Sequence, residues 1–277
     1  MAMNKDSNAY IIGFAVAICV FCSIFVSGAA VSLKEKQKTN AQLDLQKNVI
    51  SVSGFKDVDI STITPEQIDE LFKSEDGQRI VAKYVDLKKG STIETLKTLA
   101  DVEAHQLSLK GKCDNDKLEN NLAKLRCYQT QQKIYEVYEG SRMTRVILPV
   151  EGKGLWSTLK GFLAVEKDGN TIAGLTFYSH AETPGLGGEI DNPDWKASWV
   201  GKKAYKGDTP AAIARKGGAK NLEYEVDGLS GATLTCNGVN DMMNFWLGEN
   251  GYGNYLSNLK SNWLSGSHIP LLLMRME

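Results

Sequence analysis

From Tyr10 to Val31 the chain is almost wholly apolar, and no charged side chain occurs between Asp6 and Lys34. Inside a bilayer a lone segment can satisfy its peptide groups only as a helix. At about 1.5 Å per residue, this run covers roughly the 30 Å hydrocarbon core. The chain is therefore expected to place residues 1–9 on one side of a membrane, to cross it as a helix over 10–33, and to carry everything else on the other side. A cleaved signal peptide is the competing reading, because Lys5 supplies a basic start and Ser27-Gly28-Ala29 resembles a small-residue cleavage site. The retained anchor is preferred, since the run outlasts the ~7 to 15 apolar residues of a signal peptide. Cys19 and Cys22 lie within the run and read as small apolar residues of a membrane helix, with no second such pair to suggest a metal.

Among the 277 residues, 32 basic side chains face 33 acidic ones, so nothing suggests a nucleic-acid surface or a polybasic tether. Lys34 to Leu45 reads as a polar helix continuing out of the membrane. Thr64-Pro65-Glu66-Gln67 reads as a helix start: Thr64 caps, Pro65 suits the first helical position and Gln67 completes a capping box. The whole span 34–132 is expected to form helices and loops. Within it Cys113 and Cys127 flank a charged, helix-like segment that an oxidising compartment would close by a disulfide. Strand signals begin at Lys133. Two hairpins follow, one turning at Gly140-Ser141-Arg142 and one at Asp168-Gly169, where the glycine relieves the positive φ of a tight turn. Adjacent hairpins followed by helical material give an α+β fold, with an antiparallel or mixed sheet and helices packed against it.

Familiar catalytic patterns are missing. His105, His180 and His268 are the three histidines, and HExxH, the phosphate-binding P-loop and GxSxG all fail to occur. Two segments instead resemble a ligand site. His180 to Gly188 leaves a strand into a loop stiffened by Pro184, with Gly185, Gly187 and Gly188 permitting close approach to a planar or anionic ligand. Asp227 to Thr235 places small residues and hydroxyls before an apolar helical pattern at Val239, Met242, Met243 and Trp246. A helix start of this kind favours a phosphate, through free amides and the helix dipole. A plain hydroxyl cap by Ser230 or Thr235 is the simpler account of the second segment alone.

Ser230-Gly231-Ala232-Thr233 after Asp227, together with Glu182-Thr183-Pro184-Gly185-Leu186-Gly187, resembles the FMN-binding domain whose threonine carries flavin through a phosphoester. Gly152 to Trp156, Gly188 to Trp195 and Leu234 to Val239 narrow the resemblance to the C subunit of the sodium-translocating NADH:quinone oxidoreductases. The G subunit of the Rnf-type ferredoxin:NAD oxidoreductases is the runner-up. The resemblance covers the anchor and the span 133–256, which would be the FMN-binding domain, and leaves 257–277 as a C-terminal tail. It implies that Thr233 holds covalent FMN, that Ser230, Gly231 and Ala232 surround its phosphate, and that Leu155, Trp156, Glu182, Thr183, Leu186, Gly187 and Lys216 lie near the flavin. It also implies partners: a flavinylated B subunit, an iron-sulfur-bearing subunit pair and a separate flavin transferase. The chain would carry electrons between these centres on the way from NADH to ubiquinone, in step with sodium translocation. An anchored binding module without redox function and an anchored hydrolase using Ser230 or Thr233 are the readings of other classes.

Orientation divides the two lines of reasoning. Lys34, Lys36, Lys38 and Lys47 follow the apolar run, and a literal positive-inside count would put the large domain in the cytoplasm. Long domains translocate largely regardless of such charges, and the resemblance implies a single-pass protein of the bacterial inner membrane with its large domain in the periplasm. A reporter active only in the cytoplasm should therefore be silent when fused after Leu256, and an active fusion would restore the lysine count.

Overall fold

A computed structural model describes residues 8–73, 79–96 and 98–265. The chain divides into two compact units, Met1–Leu45 and Gln46–Glu277. The first consists, over its described residues, of the larger part of helix α1 (Asn8–Ser51). Its apolar stretch is long enough to cross a membrane, and none of it is buried against protein. Phe25 and Val26 are 64% and 69% exposed, which suits side chains solvated by lipid. Within this stretch the Ser23 hydroxyl donates to the Cys19 carbonyl at 2.6 Å, so this polar group is satisfied by its own helix. The helix continues through the polar residues after Lys34, as the sequence predicts, and reaches Ser51 without a break.

The second unit is built on a six-stranded antiparallel sheet, ordered β2-β1-β3-β4-β5-β6. Its strands are β1 (Ile80–Asp86), β2 (Ser91–Thr92), β3 (Gln131–Glu139), β4 (Arg142–Lys153), β5 (Thr158–Glu166) and β6 (Ile172–Ser179). Both expected hairpins are present, β3 with β4 and β5 with β6, and Gly169 turns the second at φ +67°. The expectation of helices and loops over 34–132 needs correction, because β1 and β2 lie inside that span and β1 pairs along its whole length with β3. Short helices in the same span are α2 (Pro65–Lys73) and α3 (Leu99–Leu109). Helix α2 begins with the anticipated capping box: the Thr64 amide donates to Gln67 Oε1 at 2.9 Å and the Gln67 amide to Thr64 Oγ1 at 3.3 Å. The anticipated segment 1–9 falls outside the described residues up to residue 7. The anticipated tail 257–277 is helical to Leu264 in α6 (Gly253–Leu264) and lies outside them from 266.

Side chains alternate across a strand, so the sheet presents two faces, and helices cover both. On one, Val146, Leu148 and Val150 of β4 join Leu159 and Leu163 of β5 beneath helix α5 (Thr233–Leu247), which contributes Val239, Met242, Met243 and Trp246. On the other, Phe72 of α2 meets Tyr135 edge-to-face, and Tyr135 meets Phe162 in the same way. The last turn of α1 belongs to this unit too: Val49 and Ile50 are buried, and a side chain at Gly174 of β6 would strike Val52 at 3.2 Å.

Two glycines set the distance between α5 and β4. A Cβ at Gly152 would lie 2.7 Å from Met242 Cβ, and one at Gly238 would collide with the Lys153 carbonyl. With no side chain at either position the helix rests almost on the strand backbone. Trp246 Nε1 then donates to the Glu151 carbonyl at 2.8 Å, which fixes the helix along its length. Smaller strands complete the unit: a hairpin of β7 (Tyr205–Lys206) with β8 (Thr209–Pro210), and a parallel pair of β9 (Ile213–Arg215) with β10 (Glu225–Asp227). The five-residue helix α4 (Pro193–Ala197) packs Trp195 edge-to-face on Trp199.

Cys113 and Cys127 are joined by a disulfide, with 14 residues of sequence separation. Closing a loop of that length is worth about 3 kcal/mol in the chain-entropy model. Peptide mapping of protein taken from intact membranes without reductant should find this pair bonded, and finding both thiols free would contradict it.

Candidate functional site

Three loops meet at one end of the sheet. Residues 154–157 turn from β4 into β5, closed by a hydrogen bond from the Gly154 amide to the Ser157 carbonyl at 2.8 Å. The chain leaving β6 forms the second loop, from His180 to the 3-10 turn Gly187–Asp191. The third enters α5 through Gly228 to Ala232. Because α5 lies so close on β4, its first turn arrives beside the β4–β5 turn, and a side chain at Gly238 would also approach the Gly154 Cα at 3.1 Å.

Glu182 joins all three loops. It is 5% exposed. Its Oε1 accepts from the amides of Trp156 at 3.0 Å and Ser157 at 3.2 Å, and its Oε2 accepts from the Leu155 amide at 3.2 Å and the Thr235 hydroxyl at 2.6 Å. Burial pushes its pKa up, but these four donors outweigh burial and hold the carboxyl below the usual glutamate range. The group is an anion enclosed by N–H and O–H. Further bonds brace it: Ala181 N–H donates to Ser157 Oγ at 2.7 Å, and Glu182 N–H donates to His180 Nδ1 at 3.2 Å. His180 Nε2 lies 2.7 Å from Asp191 Oδ2, so in the neutral ring the proton sits on Nε2.

Of the residues singled out in the sequence, Leu155, Trp156, Glu182, Thr183, Leu186, Gly187, Ser230, Gly231, Ala232 and Thr233 stand on these three loops and at the head of α5. The Thr183 carbonyl accepts from the amides of Leu186 and Gly188 and so shapes the second loop. Gly187 packs against Thr235 so tightly that a Cβ there would overlap its hydroxyl. Gly231 turns into the helix at φ +73°, where a Cβ would meet Leu186 at 3.0 Å. Leu155, Trp156, Leu186 and Leu234 are 41%, 66%, 46% and 59% exposed, an apolar rim around the helix start.

Lys216 lies on the exposed turn after β9, beside the start of the third loop: the Gly228 amide donates to the Arg215 carbonyl at 2.8 Å, and a Cβ at Gly228 would lie 3.3 Å from the Lys216 backbone nitrogen. Two carboxylates hold that turn: Asp227 Oδ1 accepts from the Ala219 amide at 2.7 Å, and Glu225 Oε2 accepts from the amides of Lys220 and Asn221 at 2.7 and 3.0 Å. The Arg215 guanidinium, with those amides, pulls Glu225 down to about 2. Among the described residues, none pairs with the Lys216 ammonium.

The expected hydroxyl cap is not formed. The residue at the cap position of α5 is Ala232, with no side-chain bond to the helix, and Thr235 spends its hydroxyl on Glu182 instead. Among the described residues, nothing accepts from the amides of Thr233, Leu234 or Thr235, and nothing bonds to the hydroxyls of Ser230 or Thr233. Open amides on an uncapped helix start form an anion site. The arrangement suits a phosphate flanked by an apolar, planar group, and so fits FMN. Thr235, Ser157 and Asp227 are structural partners that the sequence does not single out as site residues, and only Thr235 and Asp227 carry a signal, as members of the motif around Thr233.

Comparisons with known proteins agree with this geometry. The family described as FMN-binding domain matches residues 154–248, which takes in all three loops. The chain is 40% identical over 279 residues to the C subunit of the Na(+)-translocating NADH-quinone reductase of Vibrio parahaemolyticus, across 96% of this chain and 100% of the relative. It is 38% identical over 262 residues to the protein of the same name from Pseudomonas aeruginosa, across 93% and 98%. Among solved structures, NqrC of Shewanella oneidensis superposes with a TM-score of 0.63 at 28% identity, over 78% of this chain and 96% of that one. With full-length relatives at this identity, and with the open helix start that the fold presents, the chain belongs to the family of C subunits of the Na(+)-translocating NADH-quinone reductases.

Proposed function

We propose that the chain carries FMN covalently on Thr233 Oγ1 and serves as an electron-carrying subunit of its membrane complex. The observation that carries this reading is the uncapped start of α5, with three open amides beside a free threonine hydroxyl and an apolar rim. FMN held there would supply one- and two-electron transfer. The protein's own groups do the rest. The amides of Thr233, Leu234 and Thr235, with the helix dipole, balance the phosphodiester charge. Gly231 leaves room beside that charge. Trp156 offers an aromatic surface, Leu155, Leu186 and Leu234 keep water from its flanks, and Lys216, on the turn that abuts Gly228, offers a cation to the phosphodiester or the reduced ring.

Attachment forms an ester between Thr233 Oγ1 and the FMN phosphorus, breaks the pyrophosphate bond of FAD and releases AMP, while the hydroxyl proton leaves to a base. Among the described residues no base bonds to Thr233, and a threonine hydroxyl is a weak nucleophile unaided. The base is therefore supplied from outside, by a magnesium-dependent flavin transferase. Within the complex the chain would take electrons from an iron-sulfur-bearing subunit pair and pass them to flavin on the B subunit, towards ubiquinone and coupled to sodium movement. The Cys113–Cys127 disulfide supports a domain on the periplasmic side, where such bonds persist.

Denaturing gels viewed under ultraviolet light provide the test, after expression with the transferase. The protein should fluoresce at its own band, Thr233→Ala should be dark, Ser230→Ala should keep part of the signal, and Thr233→Ser should label weakly because it loses the methyl that restricts χ1. A fluorescent Thr233→Ala band would remove Thr233 as the acceptor. Protein made without the transferase should be colourless, and covalent uptake of free FMN by purified protein would overturn the need for outside help.

A further inference from the structure

The head of α5 faces two opposed demands. A phosphate needs the first-turn amides open, yet a helix start without a cap frays. A serine or aspartate at the cap would steady the turn and occupy the same amides. The chain has Ala232 there, without a side-chain bond. The steadying bond comes instead from the third residue of the helix, since Thr235 is 1% exposed and its hydroxyl meets Glu182 at 2.6 Å.

We propose that Thr235, held by Glu182, is the positioning residue that presents Thr233 for flavin attachment; this rests on Thr233 being the acceptor. An ionised carboxylate only accepts hydrogen bonds, so the Thr235 proton points at Glu182 and that hydroxyl is committed. Gly187 fits against the hydroxyl with no room for a side chain, so the contact tolerates little displacement. Glu182 is itself fixed by the amides of Leu155, Trp156 and Ser157, which belong to the sheet's own hairpin. The first turn of α5 is thereby bonded to the rigid part of the domain two residues beyond the acceptor, while its amides and the Thr233 hydroxyl stay free.

The test uses full-length protein, made without flavin transferase and then incubated with purified transferase, FAD and magnesium. The initial rate of in-gel fluorescence is followed, with mass spectrometry to locate the flavin and circular dichroism to confirm folding. Thr235→Val keeps the shape and removes the donor, and should slow attachment by roughly tenfold or more, as expected when a hydrogen bond to a buried charge is lost. Thr235→Ser keeps the donor and should stay within about threefold of the unaltered protein. Glu182→Gln cannot accept from all four donors at once and should be slowed at least as much as Thr235→Val, and adding Thr235→Val to it should cost little more, since the bond to Thr235 is then already weakened. Attachment at the unaltered rate in folded Thr235→Val overturns the proposal, as does Thr235→Ser being as slow as Thr235→Val. Should Thr235→Val not fold, unaltered attachment in folded Thr235→Ala overturns it equally. Thr233→Ala runs alongside: a labelled Thr233→Ala protein defeats the acceptor assignment, whereas a dark one with normal Thr235→Val defeats the positioning role alone.

Discussion

The contact between helix α5 and strand β4 governs where everything else in the domain can be. Helices usually stand off a sheet by the length of their side chains. Here Gly152 and Gly238 remove that spacer, and Met242 and the Lys153 carbonyl fill the gap. The helix start therefore lands beside the β4–β5 turn and within reach of the loop that leaves β6. The buried carboxylate of Glu182 can join three segments only because the backbones have already been brought this near. A side chain at either glycine would push the helix outwards and dismantle the site, although neither glycine lines it.

Local signals in the sequence are reliable where local physics decides the outcome. The anchor follows from apolar length alone, the capping box at Thr64 from four adjacent residues, and the hairpins at Gly140 and Gly169 from turn chemistry and strand composition. The span 34–132 conceals β1 because Ile80–Asp86 is stabilised by β3, about fifty residues on, and lies among charged segments that give no alternating pattern. The site divides in the same way. Its motif around Thr233 is legible, and the likeness to a known family marks the loops. The bond from Thr235 to Glu182 spans 53 residues of sequence, and no periodicity encodes it. Thr235 reads as a cap because hydroxyls before helices usually cap; here a tertiary partner of higher charge takes the proton instead.

Electrostatics explain why the acidic residue does not spoil an anion site. The Glu182 carboxylate is stabilised within the protein by three amides and a hydroxyl, whose dipoles point at it and offset part of its field. The helix start keeps its own amides for a second negative group. Asp227 and Glu225 are likewise turned onto backbone amides of the Lys216 turn. Acidic side chains in this region thus act as fasteners for backbone and, at Glu225, for Arg215, while among the described residues the Lys216 ammonium and the first amides of α5 are left without a protein partner.

The rim of Leu155, Trp156, Leu186 and Leu234 bears on how such a protein is made. Four large apolar side chains open to water form an adhesive surface, of the kind that holds chaperones and other exposed chains. A planar ligand seated among them would hide that surface from solvent. Loading would then change the protein's colloidal behaviour as well as its chemistry, so an unloaded copy would differ in stickiness from a finished one.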